Sequence, residues 1–197
     1  AASGARAGTR CAAGVGISTN FADFQLDAPE LRGFWREMSR RKLMVLVHPT
    51  TPCDAPQNDP GTFLSVGYPG ETAMAATKLA LSGVLEEYPD VKIVWSHLGG
   101  SLAMILDRID RGYQRFSNCP HPPSYYLRRC YFDTACVHGP ALECARATWG
   151  VNRLVFGTDV PHVPNAEKDT VAALAARSWS DAELGAVFSG TIRNLLA

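Results

Sequence analysis

Three side chains able to bind a metal or move a proton stand at the ends of apolar, β-branched runs. Leu43-Met-Val-Leu-Val47 ends in His48-Pro49, and Val91-Lys-Ile-Val-Trp95 ends in Ser96-His97-Leu98-Gly99-Gly100. Arg153-Leu-Val-Phe156 ends in Gly157-Thr158-Asp159. Two imidazoles and a carboxylate form a nitrogen-and-oxygen donor set that suits Zn²⁺, or a similar divalent ion such as Mn²⁺. Imidazole also titrates near neutral pH, which fits it for proton transfer. Each residue has a plainer reading as well. A histidine after a strand can be a hydrogen-bonded structural residue, and an aspartate there can cap the next helix. Gly99-Gly100 can be a tight turn, or a place where backbone approaches a ligand closely. The coincidence of three such strand ends is what favours chemistry.

The elements that would position them follow from periodicity. Val15 to Thr19 is a short strand, and Leu43 to Val47 and Val91 to Trp95 read as strands buried on both faces. Arg129 to Ala135 and Arg153 to Gly157 complete a set of five. Between them run helical patterns. Asp27-Ala-Pro29-Glu30 is a helix-start signal, after which Leu31, Phe34, Trp35 and Met38 recur on one helical face. Glu71 to Tyr88, Ser101 to Phe116, Pro140 to Trp149 and Glu167 to Ala176 are helical, and Ser180-Asp-Ala-Glu183 is a capping box for the final helix. Trp35, Trp149 and Trp179 fall on helical faces and are read as packing residues. The Pro-, Asp- and Gly-rich stretch from Pro49 to Gly70 reads as a long loop able to cover a pocket. Alternating strands and helices imply a parallel sheet, either doubly wound or part of a (β/α)₈ barrel. In both, the C-terminal strand ends lie on the side where ligands bind. His48, His97 and Asp159, 49 and then 62 positions apart, would therefore converge. No GxGxxG opens a helix, which argues against a dinucleotide site.

The 197 residues are 46% hydrophobic and 19% charged, as expected of a globular domain. Lys plus Arg and Asp plus Glu both number 19, so net charge gives no reason to expect nucleic acid or an anionic membrane as partner. The densest basic run, Arg40-Arg41-Lys42, reads as a solvated helix end. No run reaches the roughly 18 apolar residues of a membrane span. The six cysteines form no CxxC pair and read as reduced thiols, which makes the cytoplasm the expected location. Residues 1–12 are read as a frayed end, and 13–197 as the folded portion.

The segments Val45-Leu-Val-His48-Pro49-Thr50, Ile93-Val-Trp-Ser-His97-Leu-Gly99-Gly100 and Leu154-Val-Phe-Gly157-Thr-Asp159-Val-Pro161 resemble successive motifs of the amidohydrolase-2 family. Tyr131-Phe-Asp133-Thr134-Ala135 resembles its seventh-strand segment. The branch most alike contains the aminocarboxymuconate-semialdehyde, 6-methylsalicylate and resorcylate decarboxylases. The resemblance implies a partial (β/α)₈ TIM barrel, about strands four to eight with their helices. It implies that His48 and Asp159 bind metal, that His97 is an acid/base beside it, and that the protein is a homodimer. The family also carries an HxH or ExH pair at the end of its first strand. This sequence has none: its histidines are His48, His97, His121, His138 and His162. The chain is accordingly read as the C-terminal portion of such a barrel.

His162 and His138 are read as residues that could face a substrate, or lie in surface loops, and His121 as solvated. Asp133 is read either as a group beside the site or as a strand-end hydrogen-bonding residue. The leading functional reading is a metal-dependent decarboxylase of a small aromatic or enoic carboxylic acid. In it His97 protonates the carbanion left by CO₂, with His97 and Asp159 as the catalytic pair. A hydrolase of a lactone, amide or ester, with water activated by the same metal, is the first alternative. An inactive relative serving as an interaction module is the second.

Overall fold

The computed structural model describes residues 12–21, 24–51 and 60–197. Cys11, Cys53 and all but Ala12 of the expected frayed end lie outside the described residues, as does the middle of the expected Pro49–Gly70 loop.

The chain begins with β1 (Gly14–Ser18) and a hairpin of β2 (Asn20–Phe21) with β3 (Phe24–Gln25). Helix α1 (Arg32–Arg41) buries Trp35 and Met38 as its periodicity predicts. No side chain caps it. A 3₁₀ turn, Pro29–Leu31, leads in, so the Asp27 start signal marks the turn rather than the helix. After β4 (Met44–His48) come α2 (Pro60–Thr62), a π turn (Phe63–Gly67) and α3 (Tyr68–Leu81), run together as one helix. Then follow α4 (Val84–Glu87), β5 (Lys92–Trp95), α5 (Leu102–Asp110), α6 (Pro123–Leu127) and β6 (Tyr131–Asp133). The chain continues through α7 (Gly139–Trp149), β7 (Leu154–Val155) and α8 (Ala166–Ala175). It closes with α9 (Asp181–Gly185), a second π turn (Ala186–Gly190) and α10 (Thr191–Leu196). Among the described residues no helix is long and apolar enough to cross a membrane, and Cys119, Cys130, Cys136 and Cys144 are free thiols.

The sheet is parallel, in the order β1-β4-β5-β6-β7. Strand order follows chain order, so there is no switch point of the kind that defines a doubly wound sheet. This is the (β/α)₈ arrangement, five strands of it. Side chains alternate between its faces. Val45, Val47, Ile93, Trp95, Phe132 and Leu154 join the main core under the helices, where the Phe132 and Trp149 rings stack at 4.3 Å. Val94 and Val155 face the other way. They meet Leu195 of α10, with Met44, Leu46, Tyr131 and Ile192 beside them. The same alternation puts His48 on the face of Met44 and Leu46, and Asp133 on the face of Tyr131.

Several expected boundaries move, each for a local reason. The helix expected over 71–88 starts at Pro60 and breaks at Gly83 (φ 83°). Pro69 has no N–H to donate to residue 65, and the π turn lies where that bond is missing: Tyr68 N–H donates to Phe63 O instead. Residues 60–70 are therefore helical rather than loop. The helix over 101–116 stops at Asp110, because Arg111 is extended and Gly112 left-handed. The strand over 129–135 shrinks to Tyr131–Asp133, since the Arg129 and Cys130 amides still bond back to Tyr126 and Leu127. The strand over 153–157 shrinks to Leu154–Val155, since Phe156 N–H donates to Val187 O in the second π turn. Trp179 lies in the connection before α9, not on a helix, and its Nε1 donates to Glu143.

Candidate metal and proton-transfer site at the strand ends

The side chains following β5 and β7 meet the last residue of β4 at one mouth of the sheet. His48 Nε2 lies 3.3 Å from Asp159 Oδ1, and His97 Nε2 lies 3.4 Å from the same oxygen. One donor atom from each of the three residues falls within 4.8 Å of the other two. The His48 and His97 rings meet edge to face at 5.1 Å.

Backbone ties fix each member. The His48 carbonyl accepts from Thr19 N–H at 3.0 Å, and Thr50 N–H donates to Thr19 Oγ1, so β1 clamps the end of β4. Ser96 ties β5 to β4 twice, through its N–H and its Oγ, both donating to Val47 O. Past Val155, buried Thr134 takes over the role of a strand neighbour: its Oγ1 accepts from Gly157 N–H at 3.3 Å. Asp159 then turns in a left-handed conformation (φ 63°), and its carbonyl accepts from His162 and Val163 N–H.

His48 Nδ1 lies 3.0 Å from the Pro49 carbonyl oxygen. A carbonyl only accepts, so Nδ1 carries the hydrogen, and in the neutral ring Nε2 carries the lone pair. That lone pair is aimed at a carboxylate oxygen. Two acceptors facing each other at 3.3 Å repel unless a cation or a proton lies between them. The residues thus fit a divalent cation by donor type, by convergence and by this pairing.

The site opens into a cavity of about 530 Å³, within the range typical of small-molecule pockets. Leu64, Tyr68, Pro69 and Val163 wall it. His162 is in the same wall, its ring 6.2 Å from that of His48. His138 is elsewhere: it precedes α7, is exposed, and does not line the cavity, its carbonyl accepting from Ala141 and Leu142 N–H. The cavity wall from α3 and its π turn was not legible as long as 49–70 read as loop. Its signal was the i, i+4 pair Leu64 and Tyr68. A buried bond from Asn20 Nδ2 to Glu71 Oε1, 2.8 Å, ties the hairpin to this helix.

Asp133, at the end of β6, sits beneath the site. Its Oδ1 accepts from His97 N–H at 2.7 Å and from Ala135 N–H at 3.0 Å. Withdrawal from water raises its carboxyl pKa; the Ala135 amide and the His97 imidazole pull it partway back.

Residues 1–197 match the amidohydrolase-2 family, described as "Amidohydrolase". The chain belongs to this family. Among its relatives, the 6-methylsalicylic acid decarboxylase of Penicillium expansum is 33% identical over 142 residues, which are 68% of this chain and 43% of that protein. A solved amidohydrolase II structure matches 94% of the chain and 61% of its own with a TM-score of 0.84 and 25% identity. A dihydroxybenzoic acid decarboxylase from Polaromonas sp. JS666, solved with bound manganese and the inhibitor 2-nitroresorcinol, has a TM-score of 0.75 and 25% identity. The match covers 87% of this chain and 55% of that one. The chain thus spans less than half the length of the curated relative.

Proposed function

We propose that the protein acts as a metal-dependent, non-oxidative decarboxylase of a small aromatic or enoic carboxylic acid, a carbon–carbon lyase. The observation that carries this reading is the convergence of two imidazole Nε2 atoms on one carboxylate oxygen at the mouth of an apolar-walled cavity. His48 and Asp159 would hold the cation, Mn²⁺ or Zn²⁺. The manganese in the Polaromonas relative favours the former, and the imidazole donors suit either. When bound, such an ion supplies Lewis-acid polarisation of the substrate's oxygens. Leu64, Tyr68, Pro69 and Val163 would pack against the substrate's ring or chain and exclude water. His162, on the rim, would meet its polar substituents. His138 has no place in this cavity and is left out of the proposed contacts. His97 would deliver the proton to the carbon that loses CO₂, with Asp159 facing its Nε2 at 3.4 Å. Free thiols at the described cysteines fit a reducing compartment, the cytoplasm. A homodimer is the proposed assembly, checked by light scattering.

The test combines elemental analysis with CO₂ release from 6-methylsalicylate, 2,6-dihydroxybenzoate and an enoic acid. Bound Mn²⁺ or Zn²⁺ should fall in His48→Ala and in Asp159→Ala, and CO₂ release with it. Uptake of ¹⁸O from water into product without CO₂ would replace the proposal with a hydrolase. Full metal retention in both variants would remove the site.

A further inference from the structure

The main chain around His97 is unusual. His97, Leu98, Gly99 and Gly100 take φ of 53°, 57°, 77° and 64°, four residues of positive φ in succession. A non-glycine residue persists there only where its surroundings enforce it. The glycines suit the path. A Cβ at Gly100 would stand 2.1 Å from the Pro69 carbonyl oxygen, and one at Gly99 2.8 Å from the Phe132 ring. No strand pairing enforces the path at His97, because β5–β6 pairing ends at Trp95 opposite Phe132. His97 N–H, the next donor on the β6 side, has no backbone partner in that strand. It finds the Asp133 side chain, at 2.7 Å.

Asp133 is itself held on the far side. A Cβ at Gly157 would come within 2.8 Å of Asp133 Cβ, so only a glycine lets the β7 extension close over the carboxylate. Ala135 N–H bonds the same oxygen and fixes its rotamer. One side chain therefore ties the end of β6 to the segment after β5 while packed under the segment that leads to Asp159.

We propose that Asp133 is a positioning residue: its carboxylate oxygen holds the left-handed turn that aims the His97 ring at Asp159. This rests on the proposed role of His97 in proton transfer. What the position requires is an acceptor oxygen, not a charge or a proton. Asparagine, which keeps that oxygen, should serve, and alanine should not.

The test compares Asp133→Ala and Asp133→Asn with the unaltered protein, each loaded with Mn²⁺. Asp133→Ala is expected to lower kcat for CO₂ release about a hundredfold, the scale of a misplacement near 1 Å, with KM and bound metal little changed. Asp133→Asn is expected to recover most of that loss. In the His97→Gln background Asp133→Ala should cost nothing further. Amide hydrogen exchange gives a readout independent of activity. Asp133→Ala should speed exchange at residues 97–100 by about tenfold or more, leaving the amides of β5 protected. Four outcomes would each overturn the proposal: Asp133→Asn as impaired as Asp133→Ala, additive losses in the double variant, unaltered exchange at 97–100, or loss of protection in β5 by Asp133→Asn. A protein that releases no CO₂ yet shows the exchange pattern would keep the Asp133 tie and refute only the decarboxylase reading.

Discussion

The carbonyl of Pro49 decides which nitrogen of His48 is available. By taking the Nδ1 hydrogen it leaves Nε2 as the donor to whatever lies beside Asp159. His97 shares the same carboxylate oxygen from the other side, but the proposal gives it a different task, and the two roles are separable. His97→Gln keeps a polar tip of similar reach and cannot carry a proton near neutral pH. It should lower CO₂ release by about 10²–10⁴-fold, the usual worth of a general acid, while elemental analysis finds the metal content unchanged. A variant that loses its metal would instead make His97 a ligand. At this scale the sequence was informative because chemistry-bearing residues end apolar runs. His48, His97 and Asp159 each follow such a run, and the structure brings all three together. His162 reaches the cavity and His138 does not, and nothing in the local sequence distinguished them, since both stand in irregular segments after a strand.

Elements were legible where one local rule dominates. The Ser180–Glu183 capping box is present as read: Ser180 Oγ accepts from Glu183 N–H, and the Glu183 carboxylate accepts from Ser180 N–H at 2.8 Å. These bonds, the backbone one first and then those of Arg146 and the Ser180 hydroxyl, hold the Glu183 carboxyl at about 2, against 4.5 ordinarily. A folded pKa below the unfolded one stabilises at pH values above the unfolded pKa, and the benefit disappears as pH falls through the folded one. Glu183→Gln should therefore lower Tm at neutral pH, and the gap should narrow as melts are taken from about pH 4.5 down to about pH 2. A constant gap would assign the effect to packing instead. Where two rules compete, the reading failed. Pro69-Gly70 looked like the end of a loop, yet a π turn absorbs the missing amide and carries the helix through. Arg153 to Gly157 looked like a full strand, yet Val187 claims the Phe156 amide. Such outcomes depend on partners remote in sequence, which periodicity does not register.

Over the whole molecule, the site joins residues up to 111 positions apart, so an unfolded chain does not present them together. A cation that binds the folded state alone raises stability by mass action, by about 2.7 kcal/mol at a free concentration a hundred times its dissociation constant. Thermal melts in EDTA and in Mn²⁺ should show the shift, and His48→Ala should abolish it. An equal shift in both proteins would place the ion somewhere else. The strand order carries a last consequence. Because spatial order repeats chain order, each strand can dock on its predecessor as soon as it leaves the ribosome, with no gap to be filled later. Among the three site residues Asp159 is the last to be synthesised. The proposed cation site is therefore complete only once the stretch after β7 has been made, so a chain cut short before it would carry both imidazoles and lack the carboxylate.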